Sequence, residues 1–191
     1  QVLDAAAECF RESGFHGSSI ARICEVAGMS PGHIYHYFAN KEAIIEALAA
    51  REENETLELI HRMEKDREGG DVVTRLARQT SNAVRRYDDP SNVGLILELA
   101  SEGARNPNVR DILQRADEAA IRKFLALAEQ AGKPASMDDA EFQLRARLIM
   151  AMFNGLMVRG VVDPAFDRQG FTRLINWVIR LLLDDIDSSS A

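Results

Sequence analysis

The chain of 191 residues is 46% hydrophobic and 28% charged, an ordinary globular composition with enough length to bury a core in one large domain or two small ones. No run approaches the roughly 18 consecutive apolar residues of a membrane helix, and the N-terminus lacks the basic-then-apolar order of a signal peptide, which reads as a cytoplasmic protein with no membrane partner. Cys9 and Cys24 are too few for a disulfide framework or a four-ligand zinc site and read as small buried hydrophobes, while a net charge of −7 weighs against nucleic acid, whose binders usually carry a basic face.

Apolar residues recur at three-and-four spacing from Val2, Leu3 and Ala6 to Phe10, predicting a first helix that closes at Gly14. No capping residue precedes Gln1, so the chain is expected to continue upstream as an N-terminal arm. Ser19 caps a short second helix to about Ala27, and Gly28 supplies a turn. Ser30 caps a third, with Pro31 at its first position and its end near Phe38. Asn40 opens a fourth helix carrying Ile44, Ile45, Leu48, Leu59 and Met63, stopped by Gly69-Gly70. Asp71 opens a fifth helix to about Tyr87, Asp89-Pro90 a sixth to about Arg105, and Asn106-Pro107 a seventh ending before Gly132. The segment "GKPASMDD" reads as a linker. Two strongly apolar helices follow, about 140–162 and 168–185, parted by Asp163-Pro164 and trailed by "SSSA". With no repeat and no strand-like alternation, the expected fold is all-α, about nine helices.

Within residues 20–37, Ile20, Ile23, Ala27, Met29, Ile34 and Tyr37 surround small Cys24 and the turn glycine Gly28. Two helices that cross steeply need a small residue where they touch, a glycine between them and apolar residues to hold them, which is the spacing of a helix-turn-helix. The stretch "GFHGSSIARICEVAGMSPGHIYHYFANKEAII" also resembles the DNA-binding segment of the TetR family of bacterial one-component transcriptional regulators, through G-F-x-G-x-S-I, A-G-x-S-x-G-x-x-Y-x-Y-F and N-K-E. The likeness covers about residues 2–48; the rest matches in helix count and order, and "ELASEGARNP" is similar to a stretch found in one branch. The resemblance implies a helix-turn-helix DNA-binding domain over 1–48 and a ligand-binding and dimerisation domain over 49–187, with the fourth helix linking them. That helix, about 25 residues and so roughly 38 Å long, would act as a lever.

"SPGHIYHYF", residues 30–38, concentrates aromatic and imidazole side chains in the third helix. Ile34, Tyr37 and Phe38 are expected to face inward and lock it in place. His33, Tyr35 and His36 are then left to meet phosphates and base edges in a major groove. Gly32, lacking a side chain, lets the helix N-terminus approach the backbone closely. Ser19 and Ser30 cap their helices and touch phosphate second, and the resemblance implies a phosphate contact for Lys41. His33 and His36, three apart on a short helix with no cysteine or acidic cluster beside them, are not expected to hold a metal. Residues 1–48 hold three basic residues, Arg11, Arg22 and Lys41, against six acidic ones, Asp4, Glu8, Glu12, Glu25, Glu42 and Glu46, a balance of −3. A basic upstream arm, common in the family, would supply the missing phosphate contacts.

In the C-terminal helices Phe142, Leu148, Ile149, Met152, Phe153, Leu156 and Met157, with Phe171, Leu174, Ile175, Val178 and Leu182, leave little polar circumference. A helix apolar nearly all round needs a second cover, and a second copy of the chain supplies one, giving a homodimer through helices 140–162 and 168–185 that matches palindromic half-sites about 34 Å apart. Phe124, Met150, Met152, Phe153 and Met157 are candidates for an adaptable ligand cavity, or for plain core. Glu98 and Glu102 share one face of the sixth helix. They pair with an arginine such as Arg105 or with solvent, or anchor the sixth helix to the first, or join Asn154 in selecting a ligand with a cationic or hydroxylated end. No Glu-x-x-His pair, nucleophile elbow or phosphate loop is present, and no histidine follows His61, so neither an enzyme nor a cofactor is expected. The expected function is a ligand-responsive repressor that binds double-stranded operator DNA and is released by a small-molecule inducer. The alternative is a helical ligand-binding or scaffolding bundle whose helix-turn-helix meets no DNA.

Overall fold

The computed structural model describes residues 1–86, 89–134, 137–163, 165 and 167–183. These form nine helices and no strand: α1 (Val2–Gly17), α2 (Ile20–Ala27), α3 (Pro31–Tyr37), α4 (Lys41–Glu64), α5 (Val72–Arg86), α6 (Pro90–Arg105), α7 (Pro107–Ala131), α8 (Asp139–Val162) and α9 (Arg168–Leu183). Tyr87 as the end of the fifth helix, linker residues 135–136, Pro164 and residues 184–191 lie outside the described residues. The described residues fall into two compact units, 1–55 with 90–118 and 56–89 with 119–183. The first unit thus takes α6 and the beginning of α7, which the sequence division at residue 48 assigns elsewhere.

The first unit packs α1 against both α2 and α6 around Ala6, Phe10, Ile23, Ile34, Ile44 and Leu48, all essentially without solvent contact. Cys9 and Cys24 are buried in it, and the lack of solvation pushes the Cys9 thiol above its ordinary value. Truncating a ring such as Phe10 in a core of this kind costs about 3 to 5 kcal/mol. Ser19 accepts from the Arg22 amide at 3.1 Å and Ser30 from the His33 amide at 3.4 Å, so both expected caps form. Gly28 closes α2 at φ +63°, a conformation that glycine adopts at no steric cost.

Gly14, at φ +70° and ψ 170°, breaks the helical path three residues before α1 ends. A break leaves main-chain groups without helical partners, and burial demands that each find another. Glu98 of α6 accepts from the Phe15 amide at 2.7 Å. The Lys41 ammonium donates to the carbonyls of Phe15 and Ser18, and the Ser18 hydroxyl lies 2.8 Å from the carbonyls of both Cys9 and Gly14. A Cβ on Gly14 would stand 3.1 Å from the Glu98 carboxylate, so position and conformation both exclude a larger residue.

The second unit packs α5 against α9 and both against α8, over a core that includes Val72, Leu127, Phe142, Ile175, Ile179 and Leu183. Asp71 caps α5 by accepting from the Thr74 amide at 2.8 Å, and Asp138 caps α8 through the Glu141 amide at 2.8 Å. Arg75 donates to the carbonyls of Met63 and Gly70, while Arg78 pairs with Asp66 at 2.6 Å, fixing the turn into α5. Arg145 reaches across to the Leu182 carbonyl at 2.7 Å and satisfies the last turn of α9.

Candidate nucleic-acid interface and ligand cavity

In the first unit α3 is held by one buried side chain, Ile34, and by half-buried Phe38. Phe38 lies one residue beyond the helix, where its extended backbone (φ −131°, ψ 114°) turns the ring back toward the core. The expectation that Tyr37 also faces inward is therefore corrected. The inward stripe runs i, i+4 from Ile34 to Phe38, so Tyr37 rides outward at 64% exposure. Its ring meets those of His33 and His36 at centroid distances of 5.5 and 5.0 Å. Tyr35, His33 and His36 are exposed as expected, and open space surrounds Gly32.

Positive charge is sparse on this face. Arg22 pairs with Glu25 at 3.3 Å, and Lys41 has two of its three N–H groups on the carbonyls around the Gly14 break. The first job of Lys41 is thus structural, which the sequence alone did not reveal because the break that needs it is made by residues 23 to 27 positions away.

The second unit contains an apolar cavity of about 100 Å³ between α4, α5, α7 and α8. Phe124, Met150 and Phe153 line it, three of the residues expected there, and the Phe124 ring stacks on Phe142 at 6.0 Å and 8°. Met152, Met157 and Asn154 do not line it: Met157 is buried in other packing, Met152 is half-buried, and Asn154 is exposed. Met63, not sought there, lines it beside Met150. Leu59, Leu76, Gln79 and Thr80 come from α4 and α5, where the sequence reading sought no ligand residues. The available signal was the Gln79-Thr80 pair interrupting the apolar side of α5.

Of the alternatives for Glu98 and Glu102, the structure favours the arginine pairing and the anchoring of the sixth helix to the first, since neither lines the cavity. Glu98 holds the Phe15 amide, and Glu102, 1% exposed, accepts from Asn106 at 3.1 Å and faces His16 Nε2 at 3.1 Å and Arg105 Nη2 at 3.5 Å. Both tie α6 to its neighbours inside the first unit.

On α8, Phe142, Ala146, Ile149, Phe153 and Leu156 form the buried side at alternating spacings of four and three. Two residues out of phase, Leu144, Leu148, Ala151, Gly155, Val158 and Val162 repeat the same spacing on the exposed side. Leu174, Trp177 and Leu181 do likewise on α9, with Trp177 61% exposed. These are two apolar seams of coiled-coil type, only one of which is covered among the described residues.

A helix-turn-helix with an aromatic outward face, in a chain that also folds a helical unit around an apolar cavity, defines a DNA-binding regulator with room for a ligand. Comparison with known proteins agrees. A family model described as bacterial regulatory proteins, tetR family, matches residues 2–48, and one described as tetracyclin repressor-like, C-terminal domain, matches residues 67–185. The HTH-type transcriptional regulator UidR of Escherichia coli K12 is 29% identical over 161 residues, covering 82% of this chain and 78% of that one. Among solved structures, Salmonella enterica GusR superposes with a TM-score of 0.78 at 29% identity, over 95% of this chain and 93% of its own. FadR from Bacillus subtilis, in complex with stearoyl-CoA, gives 0.72 at 27% identity over 97% of both chains. The chain belongs to the TetR family of helix-turn-helix transcriptional regulators.

Among the described residues no helix is long and apolar enough to cross a membrane, and no group of histidine, cysteine or acidic side chains is arranged to hold a metal ion.

Proposed function

We propose that the protein is a homodimeric, ligand-released repressor acting in the cytoplasm, and that the carrying observation is the outward face of α3. Four side chains able to donate or stack, His33, Tyr35, His36 and Tyr37, are exposed around the buried Ile34 anchor. Entry of that face into a major groove sets them against base edges and phosphates. The hydroxyls of Ser19 and Ser30 accept from their helix ends and keep their O–H groups to donate to phosphate, and Lys41 keeps its third N–H. Gly32 admits the backbone of the duplex.

Dimerisation is assigned to the uncovered seams of α8 and α9. Gly155 supports this reading: glycine within a helix costs about 1 kcal/mol relative to alanine, and among the described residues no neighbouring element lies within 4 Å of where its Cβ would be. Its absence of a side chain serves no described neighbour, whereas close approach of a partner helix would use it. The cavity of the second unit is the inducer site, with Phe124 and Phe153 as its walls. An inducer releases DNA only through a difference in affinity between two arrangements of the dimer.

Fluorescence anisotropy of the purified protein on DNA from upstream of its own gene tests the reading, at low salt and across a salt series. A salt-dependent, saturable complex of one dimer or more per site is expected. No binding at low salt by a protein shown to be folded and dimeric would overturn it.

A further inference from the structure

Of the polar side chains in the cavity wall, one has an orientation that its neighbours dictate. Gln79, Asn82 and Arg85 follow one another at i, i+3 along α5. Arg85 Nη2 lies 2.5 Å from Asn82 Oδ1, and Asn82 Nδ2 lies 2.9 Å from Gln79 Oε1. Guanidinium groups only donate, so the oxygen of Asn82 must face Arg85 and its amide nitrogen must face Gln79. That nitrogen in turn demands the oxygen of Gln79. The chain of two bonds leaves the Nε2 amide as the group that Gln79 can offer to the space it lines.

The other polar lining residues, Thr56 and Thr80, each bring a single hydroxyl rather than an amide. Thr80, fully buried, gives its hydroxyl hydrogen to the Leu76 carbonyl at 3.2 Å. None of the described lining residues is charged. Against walls of Leu59, Ile60, Phe124, Ile149 and Phe153, an ionised group would be stripped of water with no counter-charge to meet it. The volume, about 100 Å³, is somewhat smaller than the roughly 150 Å³ of an apolar cavity that accepts benzene.

We infer that the cavity selects a compact, uncharged, largely apolar molecule bearing one acceptor oxygen, of the size of a single-ring ketone, and that Gln79 is the specificity-determining donor. Asn82 and Arg85 are positioning residues that hold its amide in the donating sense. This inference rests on the reading of the cavity as the inducer site.

The test uses three probes of one shape on the full chain, followed by calorimetric titration: cyclohexanone, methylenecyclohexane, in which a carbon replaces the oxygen, and cyclohexanecarboxylate. The ketone is expected to bind about fivefold to tenfold more tightly than the alkene, and the carboxylate not at all. In Gln79→Leu the alkene should bind as in the parent or better while the ketone loses its advantage, which separates a lost donor from a lost fold. Arg85→Ala should narrow the same ketone preference without changing alkene binding. Tighter binding of the carboxylate, equal binding of ketone and alkene by the parent, or failure of all three to bind at millimolar concentration would each overturn the inference. Operator binding by the ligand-free protein, measured alongside, decides the repressor reading separately.

Discussion

The Lys41 ammonium stands 4.1 Å above the ring of Phe15 and donates to that residue's carbonyl, so one side chain from the start of α4 closes the break in α1. A cation at the C-terminal end of a helical segment also meets the negative end of its dipole. Lys41→Ala is expected to destabilise the protein by about 1.5 to 3 kcal/mol, the usual cost of losing hydrogen bonds from a charged donor. Chemical denaturation reads this directly. A variant that melts like the parent yet binds operator poorly would make Lys41 a phosphate contact first and a brace second.

Glu98→Ala leaves the Phe15 amide, beside the break, without its partner, at a cost of about 1 to 3 kcal/mol. Glu102→Ala abandons His16, Arg105 and Asn106 together and should cost at least as much. Because neither carboxylate reaches the cavity, inducer affinity of the folded variants should match the parent within about twofold, as expected for independent sites. Paired denaturation and ligand titrations check both halves.

Tyr37 and Phe38, adjacent in sequence, should behave oppositely. Tyr37→Ala is expected to change stability by less than about 0.5 kcal/mol, as for an exposed position, while weakening operator binding roughly tenfold. Phe38→Ala removes an anchor of α3 and should cost more than about 1 kcal/mol in stability. Melting curves and anisotropy on the same preparations separate the two.

Gly155→Leu should give a monomer that keeps its helical content, since Gly155 is exposed and a Cβ there meets no described neighbouring element within 4 Å. Trp177→Asp, placing a charge in the other seam, should do the same. Light scattering coupled to size exclusion reads the mass, and dimers of unchanged affinity from both variants would move the interface elsewhere.

The Asp71 carboxyl is held below the ordinary carboxylate value chiefly by the Thr74 amide at the start of α5, against the opposing pull of burial. A carboxyl with a depressed folded value stabilises the protein at every pH above its unfolded value, and that stabilisation is lost as pH falls through the folded one. Asp71→Ala should therefore cost about 1 kcal/mol near neutrality, with the gap to the parent closing below about pH 4. Urea titrations at pH 7 and pH 3 give the two points needed.

Local chemistry made most of the fold legible. Ser19, Ser30, Asn40, Asp71 and Asp138 stand where helices begin, and Gly14, Gly28 and Gly132 where helical paths break or end, so the number and order of helices followed from the chain itself. The failures share a cause. Whether Tyr37 or Phe38 turns inward depends on a single residue of helix length, and periodicity does not resolve one residue at the end of a seven-residue helix. The bracing role of Lys41 depends on a backbone break far away in sequence, and the cavity depends on which of several apolar stripes meet, whereas the anchoring of the sixth helix to the first by Glu98 is among the expected alternatives. Two stripes on α8, offset by two positions, are equally apolar in sequence, and only tertiary packing tells which one the chain covers.

The two thiols of the first unit, Cys9 and Cys24, sit among the apolar side chains that carry the helix-turn-helix. In the closed state they are out of reach of a labelling reagent, and Cys9 is further disarmed because its burial keeps it protonated. Alkylation can proceed only when this part of the molecule opens, so its rate counts openings. The native sequence thus contains its own clock for the DNA-reading half. Timing that reaction with and without operator, or with and without inducer, would report how firmly each ligand holds the reader shut, with no label introduced by design.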